Sequence, residues 1–283
     1  MVFGRYCKKD LTLSLLDPFC RLLPLPRAFI GGGMKCATTS VHDWISRHPE
    51  VDGGFLKETY FWNQKTLRRQ GAYRANYLGK KFSPKKLSLD GTPQYMCTPF
   101  AKQRIGETVS QPKMIFLLRE PVARTISSYL HARVRGWTHR SFEEEILFER
   151  EQFPRAEQAA ALQWSPSYEI FLRHGHGWQS TYAWQIDSTP SSIQILVLFI
   201  EKFISDPESK WEKICAFLGL RATKPPPLRN LNASPSRERF GPFPIPDWLR
   251  FRFWDDAQEL LRRGFNVPWL CLGLSLHAFD WVV

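Results

Sequence analysis

The 283-residue sequence has no cysteine pair at the spacing that metal and redox sites require. Its six cysteines lie far apart, and none belongs to a C-x-x-C motif of the kind found in zinc ribbons and thioredoxin-like proteins. This spacing excludes a structural zinc site of that type. It leaves open whether the cysteines are buried thiols in a reducing compartment or long-range disulfides in an oxidising one. They are Cys7, Cys20, Cys36, Cys97, Cys215 and Cys271.

Apolar runs that could cross a membrane are also missing. The first 26 residues place basic residues before an apolar stretch, but acidic, basic and proline residues interrupt it. The stretch is a poor signal peptide and too short to span a bilayer. The run over 265–283 is more apolar, yet it contains Asn266, His277 and Asp280. We expect a packed tail there rather than a membrane anchor.

Acidic residues are comparatively few, and the composition is basic. There are 39 Lys and Arg against 27 Asp and Glu, which gives a formal net charge of +12. That charge suits nucleic-acid binding, but the sequence has no RRM-like aromatic motif, C2H2 spacing or basic helix with heptads. A hydrophobic content of 43% with 14% aromatics excludes disorder over most of the chain. We therefore expect a globular protein without a nucleic-acid partner, and nucleic-acid binding remains the alternative from another class.

Four short apolar runs predict β-strands that are covered on both faces. In each run the apolar residues are nearly continuous rather than alternating, and a helix-like segment follows. Strands that alternate with helices favour a parallel sheet, so the predicted fold class is α/β, with three α/β/α layers around a central parallel sheet. The strands are predicted at Arg27–Gly33, Leu87–Gly91, Lys113–Arg119 and Ile193–Ile200, with a further strand at Val51–Leu56.

Apolar residues at helical spacing predict the helices between these strands. Neither an internal repeat nor a linker is visible, so we expect one domain over residues 27–269, preceded by an extension over 1–26 and followed by a tail over 270–283. The proline-rich stretch Lys224–Pro246 predicts a long loop, and such loops often carry part of a site. The helices are predicted at Thr38–Arg47, Thr98–Thr108, Val122–Arg135, Phe142–Arg150, Pro207–Leu218 and Pro246–Arg263.

The segment over residues 31–40, GGGMKCATTS, joins the first predicted strand to a helix. Such a turn directs backbone N–H groups and the positive end of the helix at one point, and Lys35 adds a full charge. These features predict a site for a phosphate-like anion. ATP or GTP is disfavoured, because Met34 and Cys36 flank the lysine where a P-loop requires Gly and Ser or Thr. The alternative is an ordinary turn with a surface lysine.

A second segment over residues 119–129, REPVARTISSY, follows another predicted strand. Pro121 suits the first turn of a helix, which places Arg119 at the end of the strand and Ser127 about two helical turns further on. An Arg and a Ser in these positions can hold a second phosphate through charge-assisted hydrogen bonds. The alternative is a surface ion-pair cluster of Arg119, Glu120 and Arg124.

Together the two segments resemble the paired motifs of the sulfotransferases that use 3′-phosphoadenosine 5′-phosphosulfate (PAPS). KCATTS is similar to their 5′-phosphosulfate loop, and REPVARTISSY is similar to their 3′-phosphate motif. The segments LKETYFW at 56–62 and LDGTPQY at 89–95 resemble the K-E-x-x-F-F and acidic-x-[ST]-P-x-Y segments of heparan and chondroitin sulfotransferases. The chain departs from the family at Ala37, where a glycine is common, at Gly91, where a lysine often follows the acidic residue, and in lacking a recognisable late K-G-R-type loop.

The resemblance implies a P-loop-like nucleotide-binding sulfotransferase fold and a reaction. The sulfuryl group would move by in-line displacement from PAPS to a hydroxyl or amine of a carbohydrate acceptor, a glycosaminoglycan-like polysaccharide, without a metal. Glu58 would act as general base and Lys35 would stabilise the leaving oxygen, while Arg119 and Ser127 would hold the 3′-phosphate. The 5′-phosphosulfate would be held by the loop residues Lys35, Cys36, Ala37, Thr38, Thr39 and Ser40.

The acceptor-binding residues are less sharply indicated by sequence. Asp90 could orient the acceptor or hold Lys35, or it could cap its own turn through Thr92. Lys57, His131 and Arg133 are candidate contacts for an acidic polysaccharide, and a solvated basic face is the alternative. The departures from the family pattern also allow a catalytically inactive member. Because relatives of this type are usually Golgi-lumenal and membrane-anchored, the resemblance implies the Golgi lumen and leaves membrane association open.

Overall fold

A computed structural model describes residues 18–67, 69–78, 87–153, 165–231 and 242–270. Its centre is a five-stranded sheet with the order β2-β3-β1-β4-β5, in which every pair of neighbours is parallel. The α/β fold class predicted from the apolar runs is confirmed. The strands are β1 (Ala28–Gly32), β2 (Val51–Asp52), β3 (Leu87–Asp90), β4 (Lys113–Leu118) and β5 (Gln194–Phe199).

The continuous apolar runs are explained by two hydrophobic cores, one on each face of the sheet. Phe29 and Met114 point into one core, and Ile30 and Ile115 point into the other. Successive side chains of a strand alternate between faces, so a strand covered on both sides needs apolar residues at every position. The central strand β1 is buried along its whole length.

Helices cover both faces and complete the three layers. Residues of α3, α7 and α10 belong to the first core, and residues of α1 and α9 belong to the second. The helices are α1 (Thr38–Ser46), α2 (Gln70–Ala75), α3 (Pro99–Thr108), α4 (Pro121–Val134), α5 (Phe142–Gln152), α6 (Pro166–His174), α7 (Ala183–Asp187), α8 (Ile200–Ser205), α9 (Pro207–Leu218) and α10 (Asp247–Arg262).

The strand order creates a switch point between β1 and β4. The chain leaves β1 toward β2 and β3 on one side, and it leaves β4 toward β5 on the other side. Ligands of open parallel sheets bind where connections diverge in this way, outside the carboxyl ends of the strands. The loop after β1 and the loop after β4, which carry the two predicted anion motifs, both lie at this edge.

Several details differ from the sequence-based expectations. The strand expected over Val51–Leu56 ends after two residues, because two glycines follow and weaken it. The helices α2, α7 and α8 were missed because they have only six, five and six residues. The nine-residue helix α6 was also missed, although it is as amphipathic as α1. The expected extension over 1–26 falls largely outside the described residues, as do nearly all of the 270–283 tail and part of the Lys224–Pro246 loop.

The described part of the chain shows the state of several cysteines and the character of the helices. Its cysteines at positions 36, 97 and 215 are buried free thiols, and Cys20 is also buried. None of its helices combines the length and the apolar character needed to cross a membrane. Within the same residues, no cluster of three or more His, Cys, Asp or Glu side chains could hold a metal ion.

Candidate active site

The loop between β1 and α1 presents backbone N–H groups to the carboxyl edge of the sheet. Lys35 and Ala37 have φ values of 71° and 56°, in the left-handed region. Alternation of this kind folds a short loop into a concave nest of amides that binds anions. Ala37 occupies the N-cap position of α1 and supplies no side-chain hydrogen bond, so the first amides of the helix face the same concavity.

Four other helices have their N-termini capped by side chains, whereas α2, α3, α7, α8 and α10, like α1, have no side-chain cap. Glu120 caps α4, Ser141 caps α5, Ser165 caps α6 and Asp206 caps α9. A cap satisfies the amides that an anion would otherwise bind. The start of α1, beside Lys35, therefore differs from these four helix starts in what its amides can offer to a ligand.

Lys35 lies in a strongly positive environment. Its pKa is lowered by burial and by the nearby guanidinium groups of Arg124 and Arg119, with a smaller contribution from Arg135. Like charges held together in a partly buried place repel one another, and a bound anion relieves that repulsion. The electrostatics of the loop therefore favour a ligand with several negative charges.

Two arginines of the second motif hold the first motif in place. Arg119 Nη1 donates a hydrogen bond to the carbonyl oxygen of Lys35 at 3.3 Å, and Arg124 Nε donates one to the carbonyl oxygen of Met34 at 2.9 Å. The two predicted anion segments, which are about 84 residues apart in sequence, are thus in direct contact. This geometry brings Lys35 and Arg119 to one place.

Arg124 is not part of a surface ion-pair cluster. Its side chain is 1% exposed, and it also donates to the carbonyl oxygen of His176, to Ser180 Oγ and to Gln179 Oε1. Glu120 accepts hydrogen bonds from the N–H groups of the first turn of α4 instead of pairing with Arg124. The surface ion-pair alternative for this motif is therefore wrong.

Ser127 lies on α4, the helix that Arg119 precedes. It is buried, with 4% of its surface exposed. The backbone of Arg119 is fixed by Tyr182, whose hydroxyl donates to the Arg119 carbonyl at 2.7 Å. Both residues expected to hold a 3′-phosphate are therefore anchored by packed elements.

Glu58 lies between a lysine and a tyrosine. Lys57 Nζ is 2.6 Å from Glu58 Oε1, and the Tyr60 hydroxyl donates to Glu58 Oε2. Lys57 Nζ also reaches Thr38 Oγ1 at 3.5 Å, which places this acid beside the start of α1. Glu58, the loop between β1 and α1, and the Tyr60 hydroxyl thus lie close together. Sequence analysis did not single out Tyr60.

Asp90 fixes the segment that carries Glu58. Its Oδ1 accepts from the N–H and the hydroxyl of Thr92 at 3.0 and 2.7 Å, and its Oδ2 accepts from Thr59 Oγ1 at 2.8 Å. Tyr73 and Tyr95 each donate to Oδ2 at 3.0 Å. Of the roles considered for Asp90, the structure shows the turn-capping one, because the carboxylate is fully buried and its oxygens are engaged in this cluster.

Gly91 occupies a place where a side chain does not fit. A Cβ atom there would lie 2.6 Å from His42 Cδ2 and 2.9 Å from Lys57 Cγ. Its N–H donates to the Lys57 carbonyl at 2.9 Å. Gly91 stands where the family commonly has a lysine. Its lack of a side chain allows the segment around Lys57 to pack closely against α1.

The remaining loop residues differ in what their side chains offer. Thr38 is buried and contacts Lys57, while Thr39 lies in the wall of a cavity. Cys36 is fully buried, and burial raises the pKa of its thiol to about 11, so it contributes no thiolate at neutral pH. Ser40 Oγ accepts from the N–H of Leu231 at 2.9 Å, which ties its hydroxyl to the proline-rich loop.

His131 and Arg133, both on α4, lie in different environments. Burial and the charges of Lys35 and Arg135 lower the pKa of His131 to about 4, so its ring is neutral and lies within electrostatic reach of the site. Arg133 instead donates to the carbonyl oxygen of Arg140 at 3.2 Å. The structure therefore brings His131 toward Lys35, and it gives Arg133 a contact with the turn after the helix.

Tyr60 and Arg124 were missed as functional residues by sequence analysis. The position of Tyr60, two residues after Glu58, was the available signal for its contact. No local signal identified Arg124, because its acceptors at positions 176, 179 and 180 follow it by more than 50 residues.

Comparison with known proteins shows which family and fold the chain is similar to. A family model described as a sulfotransferase domain matches residues 81–235. A solved sulfotransferase from Alicyclobacillus acidocaldarius shares the fold with a TM-score of 0.62 and 23% identity, over 84% of this chain and 95% of that one.

Curated relatives match at low identity. The membrane-associated sulfotransferase kil1 of Dictyostelium discoideum is 31% identical over 38% of this chain and 23% of its own length. Mouse carbohydrate sulfotransferase 15 is 23% identical over 92% of this chain and 55% of its own, and mouse heparan sulfate glucosamine 3-O-sulfotransferase 3B1 is 26% identical over 70% and 47%. The chain thus spans about a quarter to a half of these relatives' lengths. Because the family model matches more than half of the chain, this protein belongs to the sulfotransferase family.

Proposed function

We propose that the protein transfers the sulfuryl group of PAPS to a hydroxyl or amine of a carbohydrate acceptor. The observation that carries the proposal is the contact between Arg119 and the Lys35 carbonyl, which joins the two anion-binding segments. A nucleotide with phosphate groups at its 5′ and 3′ ends requires two such segments at a short distance from each other. The membership in the sulfotransferase family supports the same reaction class.

The residues present fit a donor with this charge distribution. The amides at the start of α1, Lys35 and the hydroxyls of Thr38 and Thr39 would hold the 5′-phosphosulfate end. Arg119 and Ser127 would hold the 3′-phosphate. The cationic neighbours that lower the pKa of Lys35 indicate that this place favours a polyanion.

The proposed transfer balances without a further reactant. The acceptor oxygen or nitrogen forms a bond to sulfur while the bond between sulfur and the bridging phosphate oxygen breaks, and adenosine 3′,5′-bisphosphate leaves. Lys35 stabilises the charge that develops on the leaving oxygen. Glu58 accepts the acceptor's proton, and its contacts with Lys57 and Tyr60 hold the carboxylate in position.

A carbohydrate acceptor is proposed from the sequence motifs and from the relatives, two of which are named for carbohydrate and heparan sulfate substrates. A Golgi-lumenal location belongs to the same proposal. An inactive family member is the second candidate, motivated by Ala37 in place of glycine and by Gly91 in place of lysine. Against it, Ala37 adopts the left-handed conformation that a glycine would adopt there, so the loop keeps its shape.

The proposal is tested with PAPS that carries a labelled sulfuryl group. Label should pass to a desulfated polysaccharide, and Lys35→Ala should slow transfer by about 100-fold or more, because a charge that stabilises the leaving group is removed. The matched control is Lys213→Ala, an exposed lysine on α9 that should leave transfer unchanged. Equal slowing by both variants would contradict the role of Lys35.

Binding measurements separate the alternatives. Titration with adenosine 3′,5′-bisphosphate, ATP and an unrelated oligonucleotide should show selective binding of the bisphosphate. Bisphosphate binding without transfer to any polysaccharide tested would indicate an inactive family member. Tight binding of the oligonucleotide with none of the bisphosphate would favour nucleic-acid binding and refute the proposal.

A further inference from the structure

A cavity of about 420 Å³ adjoins the candidate active site on its β2 side. This volume is within the range of about 300–1,000 Å³ that small-molecule sites occupy. The cavity lies between one face of α1, the edge strand β2 and the segment that leads to Glu58. Its walls are formed by Thr39, His42, Asp43, Ser46, Val51, Asp52, Gly53, Gly54, Phe55 and Lys57.

The cavity and the proposed transfer site share a wall. Lys57 lines the cavity, and its ammonium group lies 2.6 Å from Glu58 Oε1 and 3.5 Å from Thr38 Oγ1. A ring bound in the cavity would therefore lie next to the carboxylate proposed to accept the acceptor's proton. This proximity suits a sugar ring that neighbours the one being sulfated.

The cavity wall carries two carboxylates and one cation, and two of these three charges are already in ion pairs. Two carboxylates, those of Asp43 and Asp52, line it together with one cation, Lys57, which is already paired with Glu58. Asp43 is paired with Arg47 at 3.2 Å, and Asp52 Oδ1 accepts from the N–H of Gly54 at 2.9 Å. Sulfate or carboxylate groups on a sugar would be repelled by Asp52, whereas hydroxyl groups could donate to it.

His42 forms part of the cavity wall beside Lys57, and its side chain is 7% exposed. Its Nδ1 lies 3.5 Å from Ser46 Oγ, and its ring also makes a hydrogen bond to the backbone of Leu89. Burial and Lys57 lower the pKa of His42 to about 4, so the ring is neutral at physiological pH.

Phe55 adds an apolar surface at the edge of the cavity. Its side chain is 47% exposed, unlike most large apolar side chains of the protein. An exposed aromatic ring beside hydrogen-bonding groups matches the two-sided chemistry of a sugar, which presents C–H groups on its faces and hydroxyls around its edge.

We infer that this cavity binds an uncharged, hydroxyl-bearing sugar ring of the acceptor, through Asp52 and Phe55. The inference rests on the proposed function, and it narrows the acceptor. On the β2 side of the transfer site, the sugar next to the sulfated one carries neither sulfate nor carboxylate. A polysaccharide with an acidic group on every sugar would not meet this condition.

The test is binding of defined tetrasaccharides to the protein saturated with adenosine 3′,5′-bisphosphate. The probes are N-acetylated chitotetraose, which is uncharged, unsulfated chondroitin tetrasaccharide, which carries carboxylates, and a heparin tetrasaccharide. Chitotetraose should bind at least about tenfold more tightly than the heparin fragment, and it should slow amide hydrogen exchange over residues 51–57. Asp52→Arg should reverse the preference, and the conservative Asp52→Asn should weaken chitotetraose binding by about tenfold.

The matched control is Asp255→Arg, which changes an exposed aspartate on α10 and should leave all three affinities unchanged. The inference is overturned if heparin fragments bind as well as chitotetraose and protect residues 51–57, if chitotetraose does not bind, or if both Asp52 variants leave its affinity unchanged. Failure of the proposed function has a different signature, because adenosine 3′,5′-bisphosphate itself would then fail to bind.

Discussion

Arg119 Nη1 donates a hydrogen bond to the backbone carbonyl of Lys35 across 3.3 Å. The contact joins the loop after β1 to the end of β4, two neighbouring parallel strands whose connections leave in opposite directions. It explains how two segments far apart in sequence can act on one ligand. It also means that substitutions of the second motif will affect the shape of the first.

Arg124 should be a major source of stability. Its guanidinium group is buried and donates to acceptors on both the loop between β1 and α1 and the 176–180 turn. Arg124→Met leaves those acceptors unpaired, so the free energy of unfolding should fall by about 3–5 kcal/mol, measured by urea denaturation. Arg229→Met, at an exposed arginine, is the control and should change it by less than about 0.5 kcal/mol. A small effect at Arg124 would show that its hydrogen bonds contribute little.

Ala37→Gly should stabilise the protein. Ala37 has φ 56° and ψ 23°, a conformation that costs an alanine about 1 kcal/mol and a glycine almost nothing. Thermal unfolding of the variant should show a gain of up to about 1 kcal/mol, reduced by the greater freedom of glycine in the unfolded chain. Sulfate transfer should be retained, since the loop keeps its shape. A loss of stability would indicate that the Ala37 methyl group makes favourable contacts that outweigh the backbone cost.

Glu58 and Tyr60 should differ in their effects on transfer. Glu58→Gln removes the proposed base, so turnover should fall by about 100-fold or more while the affinity for adenosine 3′,5′-bisphosphate stays unchanged. Tyr60→Phe removes only the hydroxyl that contacts Glu58, and turnover should fall by about tenfold or less. Transfer assays and bisphosphate titration on both variants give the comparison. Wild-type turnover in Glu58→Gln would reject the role of Glu58 as base.

Stability should fall in acid because of His42. The pKa of His42 is lowered from 6.5 to about 4 by burial and by Lys57, so between these pH values the unfolded chain binds a proton that the folded protein does not. The free energy of unfolding should therefore decrease by about 3 kcal/mol as the pH falls from 6.5 to 4. His42→Gln should flatten this part of the pH profile, and His139→Gln, at an exposed histidine, should leave it unchanged. Identical pH profiles for both variants and the wild type would show that His42 does not cause the loss of stability in acid.

The parts of the fold that sequence could predict are those fixed by local pattern. The strands β1, β3, β4 and β5 lie within the predicted ranges, because burial on both faces imposes continuous apolar runs. The edge strand β2 was predicted too long, since it is paired on one side only and is followed by glycines. The helices α2, α7 and α8 were missed because five or six residues are too few to show an apolar period, and their stability comes from tertiary packing.

Some features of the candidate site could also be predicted from local sequence, and others could not. Lys35, Glu58 and Arg119 could be selected from motifs. Lys35 and Arg119 lie in the loops that directly follow β1 and β4, and Glu58 lies six residues after the end of β2. The role of Asp90 required the folded sheet, because its partner Thr59 belongs to a segment about 30 residues earlier in the sequence. The cavity beside Glu58 depends on how α1 and β2 lie side by side, and no spacing along the chain reports that arrangement.

The central claim is that the two segments joined by Arg119 hold opposite ends of one nucleotide. The most direct measurement compares the affinities of adenosine 3′,5′-bisphosphate and adenosine 5′-monophosphate for the wild type and for Arg119→Ala by calorimetric titration. The wild type should prefer the bisphosphate by about 10- to 100-fold, the contribution of a charge-assisted contact to the 3′-phosphate, and Arg119→Ala should lose most of that preference. Equal affinities of the wild type for the two nucleotides, or an unchanged preference in the variant, would contradict the account.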